Sequence, residues 1–276
     1  MVARITRDDT GAVLATIVNY ACHPTTLAWD NDRLSPDYVG AMRALVEAHT
    51  GGAPCVFLQG ASGELAPADQ YTGDREIADA GGRYLGYAAI TALESMLPPK
   101  RGLGFEGVVE SGAPLAVWRQ RTFEPSTVIT AERFDVPLLL RPELPTVAEF
   151  ERDYAAAEDR TIKERFRRKL FNRRELGDGP TVPVAANVWR IGDMVLVGQP
   201  CEAYSDFQIQ LRKAFPRASL FVMNLVNGTL GYLPPTARYG DDIYQVWQTP
   251  FAPGCLETMT HHCTEQVGKA LGDGAA

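Results

Sequence analysis

The chain has 276 residues, 45% of them apolar and 22% charged, with a net charge of −7. Such a composition suits a globular protein with a sizeable core and excludes a mostly disordered chain. The acidic balance argues against nucleic-acid binding, which requires a basic face, and no apolar run reaches the ~18 residues of a membrane-spanning helix.

In chain order, residues 3–5 and 13–18 read as two strands joined by the tight turn Asp8-Asp9-Thr10-Gly11. The second is apolar on both faces, as a buried strand is. Ser35-Pro36-Asp37 opens a helix that ends near His49 and Gly51-Gly52. Residues 55–58 form a short strand that runs into the loop Gly60-Ala61-Ser62-Gly63. A long helix is predicted over 74–96, stopped by Pro98-Pro99. Strands are expected within 104–117 and 134–140, and a single charged helix over 145–172. The stretch 163–169 in that helix is basic; a solvated face explains it, with contact to an anionic lipid or substrate as the alternative. Gly177-Asp178-Gly179-Pro180 reads as a linker. Residues 182–191 and 194–197 form a hairpin through Gly192-Asp193. A helix over 204–215, a strand over 220–223, a turn-rich stretch over 227–239 and a final helix from Pro253 complete the chain. This order predicts an α/β fold, with layered mixed β-sheets flanked by helices in a single domain over 1–276; the one expected internal break lies near 177–180.

Five cysteines, Cys22, Cys55, Cys201, Cys255 and Cys263, lack C-x-x-C spacing, and an odd number cannot all pair. Buried free thiols are expected, which favours a reducing, cytoplasmic setting, as does the absence of a signal-peptide pattern in residues 1–9.

Three polar residues each stand just past an apolar strand, where open α/β sheets place ligands. His23 sits in Asn19-Tyr20-Ala21-Cys22-His23-Pro24-Thr25, and Pro24 biases it toward an extended backbone. Its imidazole suits a metal ion, or a hydrogen-bonded core position. Glu202 follows Gly198-Gln199-Pro200-Cys201 at the mouth of a helix, where capping is the alternative to a metal. Tyr232 lies in the rigid loop Gly231-Tyr232-Leu233-Pro234-Pro235, as a packing residue or as a phenol recruited by a metal. The backbone N–H groups of Gly60 and Gly63 are candidates for holding an oxyanion. Asp37 either orients a metal ligand or serves as an early helix carboxylate. His261 and His262, adjacent in a helix, point about 100° apart and suit a surface.

The strings around His23, Ser35-Pro36-Asp37-Tyr38-Val39-Gly40, Phe57-Leu58-Gln59-Gly60-Ala61-Ser62-Gly63-Glu64-Leu65-Ala66-Pro67 and Gly198-Gln199-Pro200-Cys201-Glu202 resemble, in order and spacing, the neutral/alkaline ceramidase family. So do residues 227–234, and Tyr244 with 250–257. The resemblance runs from about residue 11 to the C-terminus and is loose over roughly 100–180. It implies a zinc ion held by two histidines, a glutamate and a tyrosine, acting on the amide of an N-acyl sphingoid lipid. By position His23 matches the second histidine, Glu202 the glutamate and Tyr232 the tyrosine. The family's first zinc histidine belongs to a segment upstream of Met1, and the longer members carry a C-terminal immunoglobulin-like domain. The resemblance therefore presents this chain as a catalytic domain incomplete at its N-terminus, with an open strand edge suited to self-association. The family also has a serine in a Gly-Asp-x-Ser-Pro string where this chain has Gly63-Glu64-Leu65-Ala66-Pro67.

The expected function is zinc-dependent amide hydrolysis of an N-acyl lipid or related small molecule, with metal-activated water as the nucleophile. Ala66 and the upstream histidine keep a second reading open, a non-catalytic relative that binds its ligand in the same pocket. A third, a metal-free serine hydrolase using Ser62, falls short of the G-x-S-x-G pattern, because Gly63 comes one residue too soon.

Overall fold

Along a strand, successive side chains enter opposite layers, and here that alternation sorts the apolar residues into three separate cores. The structure, a computed structural model, describes residues 1–177 and 179–272; Asp178, within the expected break, lies outside them. A first sheet is built from β1 (Val2–Thr6), β2 (Val13–Tyr20) and β3 (Cys55–Gln59), β2 running antiparallel to β1 and parallel to β3. Between β2 and β3 lies α1 (Tyr38–His49), and α2 (Arg75–Ser95) follows β3. The two helices cross closely, since Gly82 of α2 lies against the Tyr38 carbonyl and Ala41 with no room for a Cβ.

Next comes a two-stranded hairpin, β4 (Arg101–Glu110) and β5 (Pro114–Thr122), where the sequence suggested a single strand region; Gly112, at φ 72°, turns the chain between them. Strand β6 (Ile129–Leu139) precedes a helical pair, α3 (Val147–Ala156) and α4 (Arg160–Leu176). The single helix expected over 145–172 is thus two. Thr146 and Glu149 form a capping box at the first, and the Asp159 carboxylate starts the second by accepting from the Ile162 amide at 2.9 Å. Strands β7 (Thr181–Ile191) and β8 (Met194–Gly198) form the expected hairpin, with Gly192 at φ 61°. The two-residue β9 (Glu202–Ala203), α5 (Ser205–Ala214), β10 (Ser219–Met223), the two-residue β11 (Tyr232–Leu233), α6 (Tyr244–Gln248) and α7 (Cys255–Leu271) follow.

The second sheet has the order β10-β8-β7-β6, with β10 parallel to β8. Ala3, Ile17 and Leu58 of the first sheet meet Leu196, Phe221 and Met223 of the second. On the outer face of the first sheet, Val18, Cys55 and Phe57 pack on Met42 and Val46 of α1 and on Ala89 and Leu93 of α2. On the outer face of the second, Val195, Val197, Leu220 and Val222 share a core with Phe207, Leu211, Met259 and Val267 of α5 and α7. The result is four layers, helix, sheet, sheet and helix. Asn19 joins the sheets, its side-chain amide donating to the Leu58 and Val222 carbonyls at 3.0 and 2.9 Å. All five cysteines are free and buried. Among the described residues no helix is long and apolar enough to cross a membrane.

Candidate functional site

In both sheets the parallel strands end at the same edge, so the loops after β2, β3, β8 and β10 gather there. Two buried amides shape the loop after β8. The Gln199 Oε1 accepts the Cys201 amide at 2.5 Å, while its Nε2 donates to the Cys201 carbonyl and to Asn224 Oδ1. Asn224 Nδ2 then donates to the Ala203 carbonyl at 2.9 Å. These bonds curl the chain so that Glu202 faces the edge, and β9 pairs with β11 in parallel, setting Glu202 opposite Tyr232. The N-terminus of α5 is capped by another residue: the Glu64 carboxylate accepts from the Ser205 amide at 2.9 Å and from its hydroxyl. Glu202 is thereby spared the helix-capping role open to it on sequence grounds.

His23 completes the group. Its Nε2 lies 2.8 Å from Glu202 Oε2 and its Nδ1 lies 2.9 Å from the Leu65 carbonyl, whose oxygen also accepts the His23 amide at 2.9 Å. A carbonyl only accepts, so Nδ1 carries a proton and Nε2 is the nitrogen aimed at the carboxylate. The His23 and Tyr232 rings stack with centroids 6.4 Å apart, and Tyr232 is hydrogen-bonded to Glu202. Tyr244 meets Tyr232 edge-on at 5.8 Å. The His23 and Glu202 side chains keep 22% and 18% of their surface, enough to reach solvent at one side. Burial pulls the His23 pKa down, but the Glu202 carboxylate and the Leu65 carbonyl outweigh it and the net shift is upward. Burial, then the Glu202 charge, pushes the Tyr232 phenol well up, so it stays protonated.

The three metal-ligand candidates therefore converge. The other candidates do other work. Gly60 donates its N–H to the Tyr20 carbonyl at 2.8 Å and Gly63 donates its N–H to the Ala203 carbonyl at 2.9 Å, so neither amide is open to an oxyanion. Both positions need glycine for close approach: a Cβ would stand 2.9 Å from the Ala21 backbone at Gly60 and 2.6 Å from the Glu202 carbonyl oxygen at Gly63. Asp37 spends its two oxygens on the Leu27 and Tyr38 amides, at 2.9 and 2.7 Å, rather than on a histidine. It reaches the site indirectly, through Tyr38, whose hydroxyl donates to the Cys22 carbonyl beside His23 at 2.6 Å. Ser62 is buried with its hydroxyl accepting from Gln59 Nε2 at 2.6 Å, and no hydrogen bond joins it to a histidine ring nitrogen among the described residues. His261 lies 3.5 Å from Glu265 on the exposed side of α7. The sequence offered no side-chain signal for Leu65, which acts through its backbone. Gln199 was legible only as part of the string Gly198-Gln199-Pro200-Cys201-Glu202, and Asn224, just past a strand end, was not singled out.

Among the described residues no three His, Cys, Asp or Glu side chains are placed to share a metal ion. The group at this edge has two such residues, and its third donor is a tyrosine. As a donor set it fits a metal: an imidazole locked in one tautomer by a carbonyl, a carboxylate and a phenol, all facing one point.

Neither family models nor curated proteins give a sequence match to this chain. Its fold is similar to that of solved structures. One is a neutral ceramidase from Pseudomonas aeruginosa, with a TM-score of 0.62 at 14% identity over 95% of this chain and 45% of the other. Another is a ceramidase complexed with C2, with a TM-score of 0.62 at 12% identity over 95% and 46%. The chain thus has a ceramidase-like fold and spans less than half the length of those proteins.

Proposed function

We propose that this protein is a ceramidase-like hydrolase that uses zinc to cleave a linear amide, with His23 Nε2, Glu202 and Tyr232 as the metal ligands. The observation that carries this is the His23–Leu65 hydrogen bond of 2.9 Å, which fixes the ring so that Nε2 faces Glu202 and Tyr232. A zinc ion, when bound, supplies a Lewis acid for the amide carbonyl and makes water acidic near neutral pH. The chain's own residues do the rest. Leu65 orients His23 through Nδ1 and leaves Nε2 for the metal. Tyr232, held protonated against Glu202, keeps a hydroxyl proton at the same point. Tyr71, whose amide donates to the Thr25 carbonyl two residues from His23 at 3.0 Å, stacks on the exposed Trp29 at 4.9 Å. That apolar border supports a substrate with an apolar body, such as an N-acyl lipid, and no nucleic acid.

Ala66, where the resembled family has a serine, favours a second reading, in which the same pocket binds its ligand without turnover. Metal content of the purified protein after dialysis, paired with turnover of fluorogenic N-acyl substrates including a ceramide, tests both. About one zinc per chain is expected, lost in His23→Ala and in Glu202→Gln, together with amide hydrolysis. Zinc with no turnover of any N-acyl amide would select the second reading. A folded protein that takes up no zinc would sink the metal assignment.

A further inference from the structure

The basic run of α4 has two sides. Arg167 and Arg168 pair with Glu164, at 2.7 and 3.0 Å, as a solvated face would, and Arg168 also borders a cavity. Lys169 points the other way and is half-buried. It lines the same cavity, of about 370 Å³, between α3, α4, the 141–145 segment and residues 246–250. The size lies in the range of small-molecule sites, roughly 300–1,000 Å³.

Its walls are divided by chemistry. Phe150 and Leu176, both buried, and Val246, Pro250 and the half-exposed Trp247 give it an apolar side. Lys169 and Arg141 stand on the polar side. Arg141 donates from Nε to Glu143 at 2.6 Å and from Nη1 to the Val246 carbonyl at 2.9 Å, which clamps the wall. The carboxylates lining the cavity do not neutralise Lys169: Glu143 is spent on Arg141, and Asp153 makes no ion pair with Lys169 among the described residues. Burial, with Arg141 and Arg165 nearby, pulls the Lys169 pKa down, as expected for a cation among cations without an anion. Such an arrangement is relieved when an acid group enters, and a guanidinium beside an ammonium suits one oxyacid.

We propose that this cavity binds one molecule of an amphiphilic monoanion, its acid group between Lys169 and Arg141 and its apolar part against Phe150, Leu176 and Trp247. The site is separate from the His23 group and does not depend on the proposed hydrolysis. The two share one wall, however: Thr249, on the cavity side, donates its hydroxyl to the Tyr232 carbonyl at 2.7 Å.

Titration calorimetry with decanoate, decanol and acetate on the full chain tests the proposal. Decanoate should bind at one site per chain, with decanol and acetate each at least tenfold weaker. Lys169→Met, which keeps the apolar stem, should weaken decanoate at least tenfold and leave decanol unchanged. Leu144→Trp, which fills the cavity, should weaken both. His23→Ala should leave decanoate binding intact, whereas loss in that variant would place the ligand at the other site and overturn the proposal. Wild-type decanoate affinity in folded Lys169→Met, or the absence of saturable binding, would overturn it equally. Should Leu144→Trp fail to fold, the Lys169→Met result decides.

Discussion

Replacing Gly63 by alanine sets two effects against each other. In a backbone conformation that alanine can adopt, the substitution narrows the unfolded ensemble and stabilises by roughly 0.4–1 kcal/mol. The added Cβ, however, would stand 2.6 Å from the Glu202 carbonyl oxygen, 2.8 Å from Tyr204 Cδ1 and 3.1 Å from the Ala203 carbonyl carbon. Two of those three atoms are backbone of β9, which is tied to the same loop by the Gly63–Ala203 hydrogen bond of 2.9 Å and to β11 by its pairing. They have no flexible end to swing away. Overpacking at such a site costs about 1–3 kcal/mol, so the net effect is destabilising by about 1–2 kcal/mol and a Tm lower by about 2–6 °C. The displacement acts on Glu202, so on the proposed metal assignment zinc affinity should fall as well. Gly81→Ala is the matched control: a Cβ there meets only Tyr38 Cβ at 3.9 Å, inside helix α2, and alanine should stabilise by about 0.5–1 kcal/mol. Urea unfolding of both variants, with zinc titration of each folded form, reads the result. Gly63→Ala as stable as wild type, or Gly81→Ala equally destabilised, would refute the steric reasoning.

Asn19→Ala removes the amide that serves the Leu58 and Val222 carbonyls at the junction of the sheets; a loss of about 1–3 kcal/mol in urea unfolding is expected. Ala66→Ser lies at an exposed position, so stability should stay within about 0.5 kcal/mol of wild type. If a hydroxyl there steadies the reacting carbonyl, amide turnover should rise by up to about 10²–10³ in kcat, and unchanged kinetics would detach that position from the chemistry. Strand β1 stands at the edge of its sheet with Ile5 exposed. Concentration-dependent self-association by light scattering should weaken in Ile5→Lys, because an edge lysine blocks strand addition; a chain that is monomeric at high concentration would refute this.

Elements whose signals are local could be read directly from the sequence. The apolar run of β2, the Asp74 start of α2, the Gly192 turn of the β7–β8 hairpin and Pro253 just before α7 all carry their own instructions. The break between α3 and α4 was missed because Glu158-Asp159 continues a polar pattern, and Asp159 becomes a cap only when the chain before it turns away. β9 and β11 are two residues long, too short for any periodicity. The gathering of His23, Glu202 and Tyr232 was legible because each follows an apolar strand whose end points to one edge. The glycines at 60 and 63 were misread for a physical reason. A glycine can expose an amide or admit a neighbouring backbone, and only the tertiary contact tells which.

The five buried thiols are distributed unevenly over the layers. Cys55 lies in the core beneath α1 and α2, Cys201, Cys255 and Cys263 lie in the core beneath α5 and α7, and Cys22 precedes His23 at the edge. Each half of the molecule thus contains its own silent reporter. Burial also pushes the Cys22 thiol up to about 11 and the Cys263 thiol up to about 12, so none of these two is a thiolate while its layer is closed. An alkylating reagent would therefore record openings rather than surfaces, and the order in which the cysteines become modified would reveal which side of the sandwich parts first.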